Sequence, residues 1–149
     1  MKVKEISTPD PECISPVATL SEAARKMRLL DVGILIVRED ERLVGTITDR
    51  DITVRAVAEG LDPNAARVRQ VMTRGVVCCS GDRSVEEAAQ LMEDRRIRRL
   101  PVVDEEKHLV GIVSIADLAI RAHNDLLAGQ VLEYVAGRPQ SHARDLRRF

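Results

Sequence analysis

Residues 44–51, VGTITDRD, and residues 110–117, VGIVSIAD, carry one pattern twice: a glycine (Gly45, Gly111), a hydroxyl (Thr48, Ser114) and, three residues on, an acid (Asp51, Asp117). Each hydroxyl stands where an apolar run gives way to a helical pattern. Unpaired backbone N–H groups and the positive end of the helix dipole favour anions such as phosphate there. A hydroxyl can donate to a phosphate oxygen, and Arg50 adds a cation in the first copy. The acids fall in the first helical turn, where an ionised carboxylate can accept from both hydroxyls of a ribose. Hydrogen bonds to charged groups contribute about 1.5–3 kcal/mol, so losing one such Asp is expected to weaken binding by roughly ten- to a hundredfold. A purely structural alternative stays open: Thr48 and Ser114 as ordinary N-caps, with acids favoured beside them.

Other reactive groups are scattered. RRIRR, 95–99, sets two arginines on each side of Ile97 and can clamp phosphates bidentately, or simply face solvent. His108, His123 and His142 do not cluster with a cysteine or an acid, and no glycine-rich phosphate loop appears, so an enzyme is the weakest reading. Cys13, Cys78 and Cys79 lack both a disulfide framework and zinc spacing; Cys13 and Cys78 leave a redox or metal role as an alternative.

Bulk properties narrow the classes further. With 149 residues, about 70 % of the unfolded surface can be buried, enough for one domain or two small ones. A net charge of −1 provides no whole-domain basic field for nucleic acid. Tyr134 and Phe149 are the only aromatics, so a bound ring must lie between aliphatic side chains. No apolar run spans a bilayer and no signal-peptide pattern opens the chain; the expected compartment is the cytoplasm, with no membrane partner.

The elements that must hold these residues are written twice. Val3 and Val68, Thr8 and Thr73, Cys13 and Cys78, and Met27 and Met92 match at an offset of 65 residues; after an insertion near His108 the offset becomes 66, matching Asp51 with Asp117 and Arg55-Ala56 with Arg121-Ala122. Thr19 with Glu22 and Ser84 with Glu87 form capping boxes. Behind them, Leu20, Ala23, Ala24, Met27 and Leu30, and Val85, Ala88, Ala89 and Met92, share one helical face. GILIV and LVGTIT around a polar turn read as a buried hairpin, as do LPVV and LVGIVS. A second helix follows each hairpin, ending near Gly60 in the first copy and continuing with a break to Pro139 in the second. ECIS and VVCCS each supply one more strand, and the tail QSHARDLRRF is expected to fray. The fold class is α+β: two βαββα repeats packed about a pseudo-twofold axis, at 1–62 and 63–130, with a helical extension and tail at 131–149.

Two such units, led in by VKEIST and VRQVMT and ending in Gly-x-x-Thr/Ser-x-x-Asp, resemble a tandem pair of cystathionine-β-synthase (CBS) domains over about residues 3–125. The resemblance implies a non-catalytic regulatory module that binds an adenosine nucleotide (AMP, ADP or ATP) between the repeats, forms a homodimer and signals to a protein partner. Whether magnesium accompanies the phosphates is left open; no cofactor is required. The base would lie against Ile14, Pro16 and Leu35-Ile36 in one site, and Val77, Cys78 and Leu100-Pro101 in the other, with Arg98 and Arg99 near the phosphates. LDVGI, matching the arginine-rich stretch, carries no basic residue, so the second site is expected to be favoured and the first weak or empty. Ile36 in place of proline, Ser7 in place of methionine and Gly81 in place of proline depart from the family pattern. A dimeric interaction protein with empty clefts is the competing reading.

Overall fold

The computed structural model describes residues 1–137. The expected fraying of the tail, the stop at Pro139, and His142 and Phe149 lie outside the described residues.

Each repeat opens with the predicted capping box. Thr19 Oγ1 accepts from Glu22 N at 3.2 Å, and the Glu22 carboxylate accepts from Thr19 N at 2.6 Å. Ser84 and Glu87 do the same at 3.1 and 2.9 Å. These caps start α2 (Leu20–Leu30) and α5 (Val85–Arg95), and both helices stop on a left-handed residue, Asp31 and Arg96, each at φ 53°.

The hairpins follow as β3 (Ile34–Glu39) with β4 (Arg42–Thr48), and β6 (Arg99–Val103) with β7 (Leu109–Ser114). ECIS and VVCCS contribute only two residues each, β2 (Cys13–Ile14) and β5 (Cys79–Ser80), parallel to β3 and β6. Next come α3 (Asp49–Asp51) with a π-helix (Ile52–Val57), and in the second copy α6 (Ile115–Ile120). The expected break falls after Ile120, a position the sequence leaves open, and Asn124 caps α7 (Asp125–Ala136).

The copies exchange their leading segments. α1 (Val3–Ile6) and β1 (Thr8–Pro9) dock on the second repeat: Val3 N donates to Arg83 O, Lys4 N to Gly81 O, and β1 pairs with β7. α4 (Val68–Val71) docks on the first: Val68 N donates to Ala18 O, Arg69 N to Pro16 O, and Thr73 bridges to Thr46. Val3 and Ile6 are buried in the second repeat's core, Val68 and Val71 in the first's. The packing units therefore cross the sequence division at residue 62, and burial of these matched apolar side chains explains why.

One predicted face needs correction. Ala89 is fully buried, but its match Ala24 is exposed, as is Leu30 at 38 %. α7 packs on α5 and α6 and adds Ala128, Val131 and Val135 to the second core; no counterpart covers α2 among the described residues.

Candidate functional site

Between the two sheets lies a cleft of about 570 Å³, lined by Ile34, Ile36 and Thr46 from the first repeat, by Thr73, Val77, Ile97, Arg98, Arg99, Pro101, Ile112 and Val135 from the second half of the chain, and by neighbours of these. Strand alternation selects the lining. On β6, Arg99 and Pro101 face the cleft, whereas Leu100 and Val102 point into the second core with no exposed surface. Leu35 likewise points away at 1 % exposure while Ile36 faces the cleft.

Of the residues expected to bind, the cleft thus gathers Ile36, Val77, Arg98, Arg99 and Pro101. Leu100 is a core residue. Ile14 and Pro16 are buried in the first repeat, with the Pro16 carbonyl engaged by Arg69. Cys78 lines an adjoining hollow of about 240 Å³ with Leu43, Val76 and Lys107, which shares Gly75 and Val76 with the cleft. Arg50 is exposed and away from the lining.

A backbone difference makes the two ends unequal. Ile36 N donates to Glu12 O at 3.4 Å, but Pro101, its match, has no N–H to donate. β5 therefore begins one residue late, and the carbonyl of Val77 is relieved of that bond beside the cleft. Charge sharpens the difference. Arg98 and Arg99 are exposed at the second-repeat end, where the matched residues are Gly33 and Ile34. A β-carbon on Gly33 would stand 3.0 Å from an Asp49 oxygen; the two residues pack together in a neighbouring hollow of about 500 Å³, which Arg28 also lines, outside the cleft lining.

Thr48 and Ser114 are N-caps in full. Asp51 N donates to Thr48 Oγ1 at 3.0 Å and Thr48 N to Asp51 Oδ2 at 3.0 Å. Ser114 N donates to Asp117 Oδ2 at 2.8 Å and its hydroxyl donates to the same oxygen at 2.7 Å. The capping alternative is thus realised in both copies. The Asp51 and Asp117 side chains are only 13 % and 15 % exposed, and their other oxygens meet Arg55 Nε at 3.8 Å and Arg121 Nε at 3.4 Å. Neither acid lines the cleft, but Ser114 lies directly across the β6–β7 ladder from Arg99, and Ile115 N donates to Arg98 O at 3.1 Å. Ser114 and Asp117 therefore head a helix that starts beside the arginine pair.

Sequence reasoning missed the roles of Arg55 and Arg121, although it matched them. Arg55 Nη1 donates to Val71 O at 3.1 Å, Met72 O at 3.3 Å and Thr73 Oγ1 at 3.3 Å; Arg121 Nη1 donates to Ile6 O at 3.0 Å. Ile6 and Val71 are themselves matched, so both arginines hold the crossing segment at the same place. Thr46, Thr73 and Ile112 were missed because the exchange that brings them to the cleft is a long-range contact.

The cysteines do not converge on a reactive centre. Cys13 Sγ donates to Pro11 O at 3.0 Å, and burial pushes its thiol up from the usual range. Cys79 is buried and its thiol is pushed up to about 11, chiefly by desolvation. Among the described residues the one metal-ligating set with three converging groups is Asp104, Glu106 and His108, at the turn of the second hairpin; it includes neither Cys13 nor Cys78.

The sequence profile of the CBS domain matches this chain twice, at residues 3–57 and 68–124. The CBS domain-containing protein YhcV of Bacillus subtilis (strain 168) is 40 % identical over 134 residues, covering 90 % of this chain and 94 % of its own. A crystal structure of Hypoxic Response Protein I with two coordinated zinc ions is similar at a TM-score of 0.72 and 37 % identity, covering 80 % of this chain and 97 % of its own. CBSX2, solved in complex with AMP, shares the fold at a TM-score of 0.71 and 24 % identity over 82 % of this chain and 96 % of its own. Among the described residues no helix is long and apolar enough to cross a membrane.

Proposed function

Because this chain belongs to the CBS domain family, as two tandem repeats, we propose that it is a non-catalytic sensor that takes one adenosine nucleotide in the cleft between them. The unequal ends of the cleft carry this reading. Ile36, Val77 and Pro101 offer an aliphatic slot for a flat base, with the Val77 carbonyl as an acceptor for an amino group on its edge. Arg98 and Arg99 take the phosphates; Ser114 lies across the ladder from Arg99, and the ribose of the bound nucleotide reaches from the cleft to the Asp117 carboxylate at the head of the helix that follows. At the opposite end, Gly33 and Ile34 stand where the second repeat has Arg98 and Arg99, so no matched arginine pair meets a phosphate and the first site stays weak. Magnesium, where it accompanies a polyphosphate, neutralises charge that the two arginines leave over.

Binding shifts the packing of the halves 1–62 and 63–130, each completed by the segment it receives from the other and the second extended from residue 131 onward; a protein partner reads the change. A ligand moves such an equilibrium only by its differential affinity for the two arrangements. The test is calorimetry with AMP, ADP and ATP on the wild-type chain and on the Arg98→Ala, Arg99→Ala double variant. Saturable heat that the double variant loses supports the reading; heat unchanged by the double variant removes the arginines from it.

A second reading has its own observation. The uncovered helical face of the first repeat leaves Leu29 81 %, Val57 64 % and Val54 49 % exposed, which favours a homodimer acting as an interaction protein with empty clefts. A dimer by light scattering whose melting temperature ignores nucleotide would favour it.

A further inference from the structure

We propose that Arg55 and Arg121 are positioning residues that tie the acid heading each closing helix to the segment crossing from the other repeat, so that the walls of the cleft move with those acids. The part of this that concerns ligand rests on the nucleotide reading above; the clasp itself does not.

The clasp is built from matched parts. Asp51 sits one helical turn before Arg55, and Asp117 one turn before Arg121, so each acid meets its arginine on one face. Each arginine then reaches past its own repeat to a carbonyl of the exchanged segment, Val71 O or Ile6 O. The acids are largely enclosed while the arginines are half exposed, so the carboxylate is the fixed point and the arginine the moving arm.

The arm ends at the cleft. Arg55 also donates to Thr73 Oγ1, and Thr73 exchanges both backbone hydrogen bonds with Thr46, at 2.8 and 3.0 Å. Thr46 and Thr73 both line the cleft. On the other side, Arg121 holds Ile6, two residues before Thr8, whose ladder partner Ile112 also lines the cleft. A change at Asp51 therefore travels through one side chain to the wall residue Thr73, a change at Asp117 travels through Arg121 and the segment Ile6 to Thr8 to reach Ile112, and pressure on the wall travels back. The fork shape of guanidinium matters: it can meet a carboxylate through Nε and carbonyls through Nη1 at once, which an ammonium cannot do in that geometry.

Amide hydrogen exchange on the full chain tests the clasp without any ligand. Arg55→Ala is expected to speed exchange at the Thr46 and Thr73 amides by about tenfold, the range for losing hydrogen bonds that hold a local segment closed, while α5 amides in the other core stay unchanged. Arg55→Lys is expected to restore only part of the protection. Asp51→Asn, which keeps an acceptor for the cap but removes the charge facing Arg55, is expected to give a smaller change at the same amides. No local change in Arg55→Ala, a uniform change over the whole chain, or crossing-segment exchange unaltered by Asp51→Asn would each overturn the proposal. ATP then tests the coupling: it should slow Thr46 and Thr73 exchange in the wild type, and in Arg55→Ala it should still bind, by heat, without that slowing. Equal slowing in both proteins overturns the coupling. Absence of heat in the wild type overturns the nucleotide reading instead, and the ligand-free exchange still decides the clasp.

Discussion

Gly45 and Thr73 meet backbone to backbone across the boundary between the repeats: a β-carbon on Gly45 would stand 2.5 Å from the Thr73 carbonyl oxygen. The matched pair, Gly111 and Thr8, is looser at 3.0 Å. The glycines kept in both copies are thus places where a strand from the other copy closes in, opposite a shift of register at Val37/Arg38 and Val102/Val103. Gly45→Ala is expected to destabilise the fold by about 1–3 kcal/mol, the usual cost of forcing extra volume into a packed contact, and Gly111→Ala by less. Urea unfolding of the two variants measures the order; equal midpoints would remove the crossing contact as the reason for glycine.

Acid should loosen the exchanged N-terminus. Asp82 accepts from Lys4 Nζ at 2.8 Å and Lys2 Nζ at 2.9 Å, and these bonds hold its carboxyl at about 2, below the ordinary 3.8. A carboxyl lowered on folding contributes stability that is complete above its unfolded value and lost as the pH falls through its folded one, so the window runs from about pH 4 down to about pH 2. The groups are exposed, so the effect is small and salt-sensitive. Exchange at the Val3 and Lys4 amides should rise over that interval in the wild type and be already raised at pH 5 in Asp82→Asn; identical profiles would show that the pair does not anchor α1.

Thiol titration should separate the cysteines. Cys79 is buried with its thiol near 11, so at pH 8 almost none of it is thiolate, and a thiol reagent should leave it unmodified until the chain unfolds. Rapid labelling of Cys79 in the native protein, read by mass spectrometry of its peptide, would contradict this.

Substitutions at the arginine-bearing end of the cleft should separate phosphate from ribose contacts. Arg98→Ala with Arg99→Ala is expected to weaken ATP more than AMP, because each further phosphate needs a cation. Asp117→Asn should weaken both alike by roughly ten- to a hundredfold, since the ribose is common to them. Calorimetry of the three proteins reads the pattern, and an equal loss for ATP and AMP in the arginine variant would detach Arg98 and Arg99 from the phosphates.

What the residues disclose on their own follows their range of action. The capping boxes at Thr19 and Ser84 act over three residues, and both helices begin where that spacing requires. The hairpins and the pairing of the copies are equally local or periodic. The exchange of α1 and α4 is not, because Val3 and Val68 fit either core by composition, and only chain geometry decides which. Leu100 was expected beside a ligand and lies in the core because alternation along β6 turns neighbouring residues to opposite faces. Ala24 and Leu30 were expected inside and lie outside because α7 covers only the second repeat. The unequal charge of the cleft ends was readable in RRIRR against LDVGI, whereas the packing of Asp49 beside Gly33, outside the cleft lining, emerged only when strand and helix were brought together.

The claim on which the rest depends is that one end of the cleft takes a nucleotide and the other does not. Titration of the wild-type chain with ATP by calorimetry, with the protein concentration fixed independently, tests it most directly. The expected result is a saturable isotherm with one nucleotide per chain. Two equivalent sites per chain would contradict the inequality of the ends, and no heat together with no thermal shift at millimolar ATP, ADP or AMP would contradict nucleotide binding altogether.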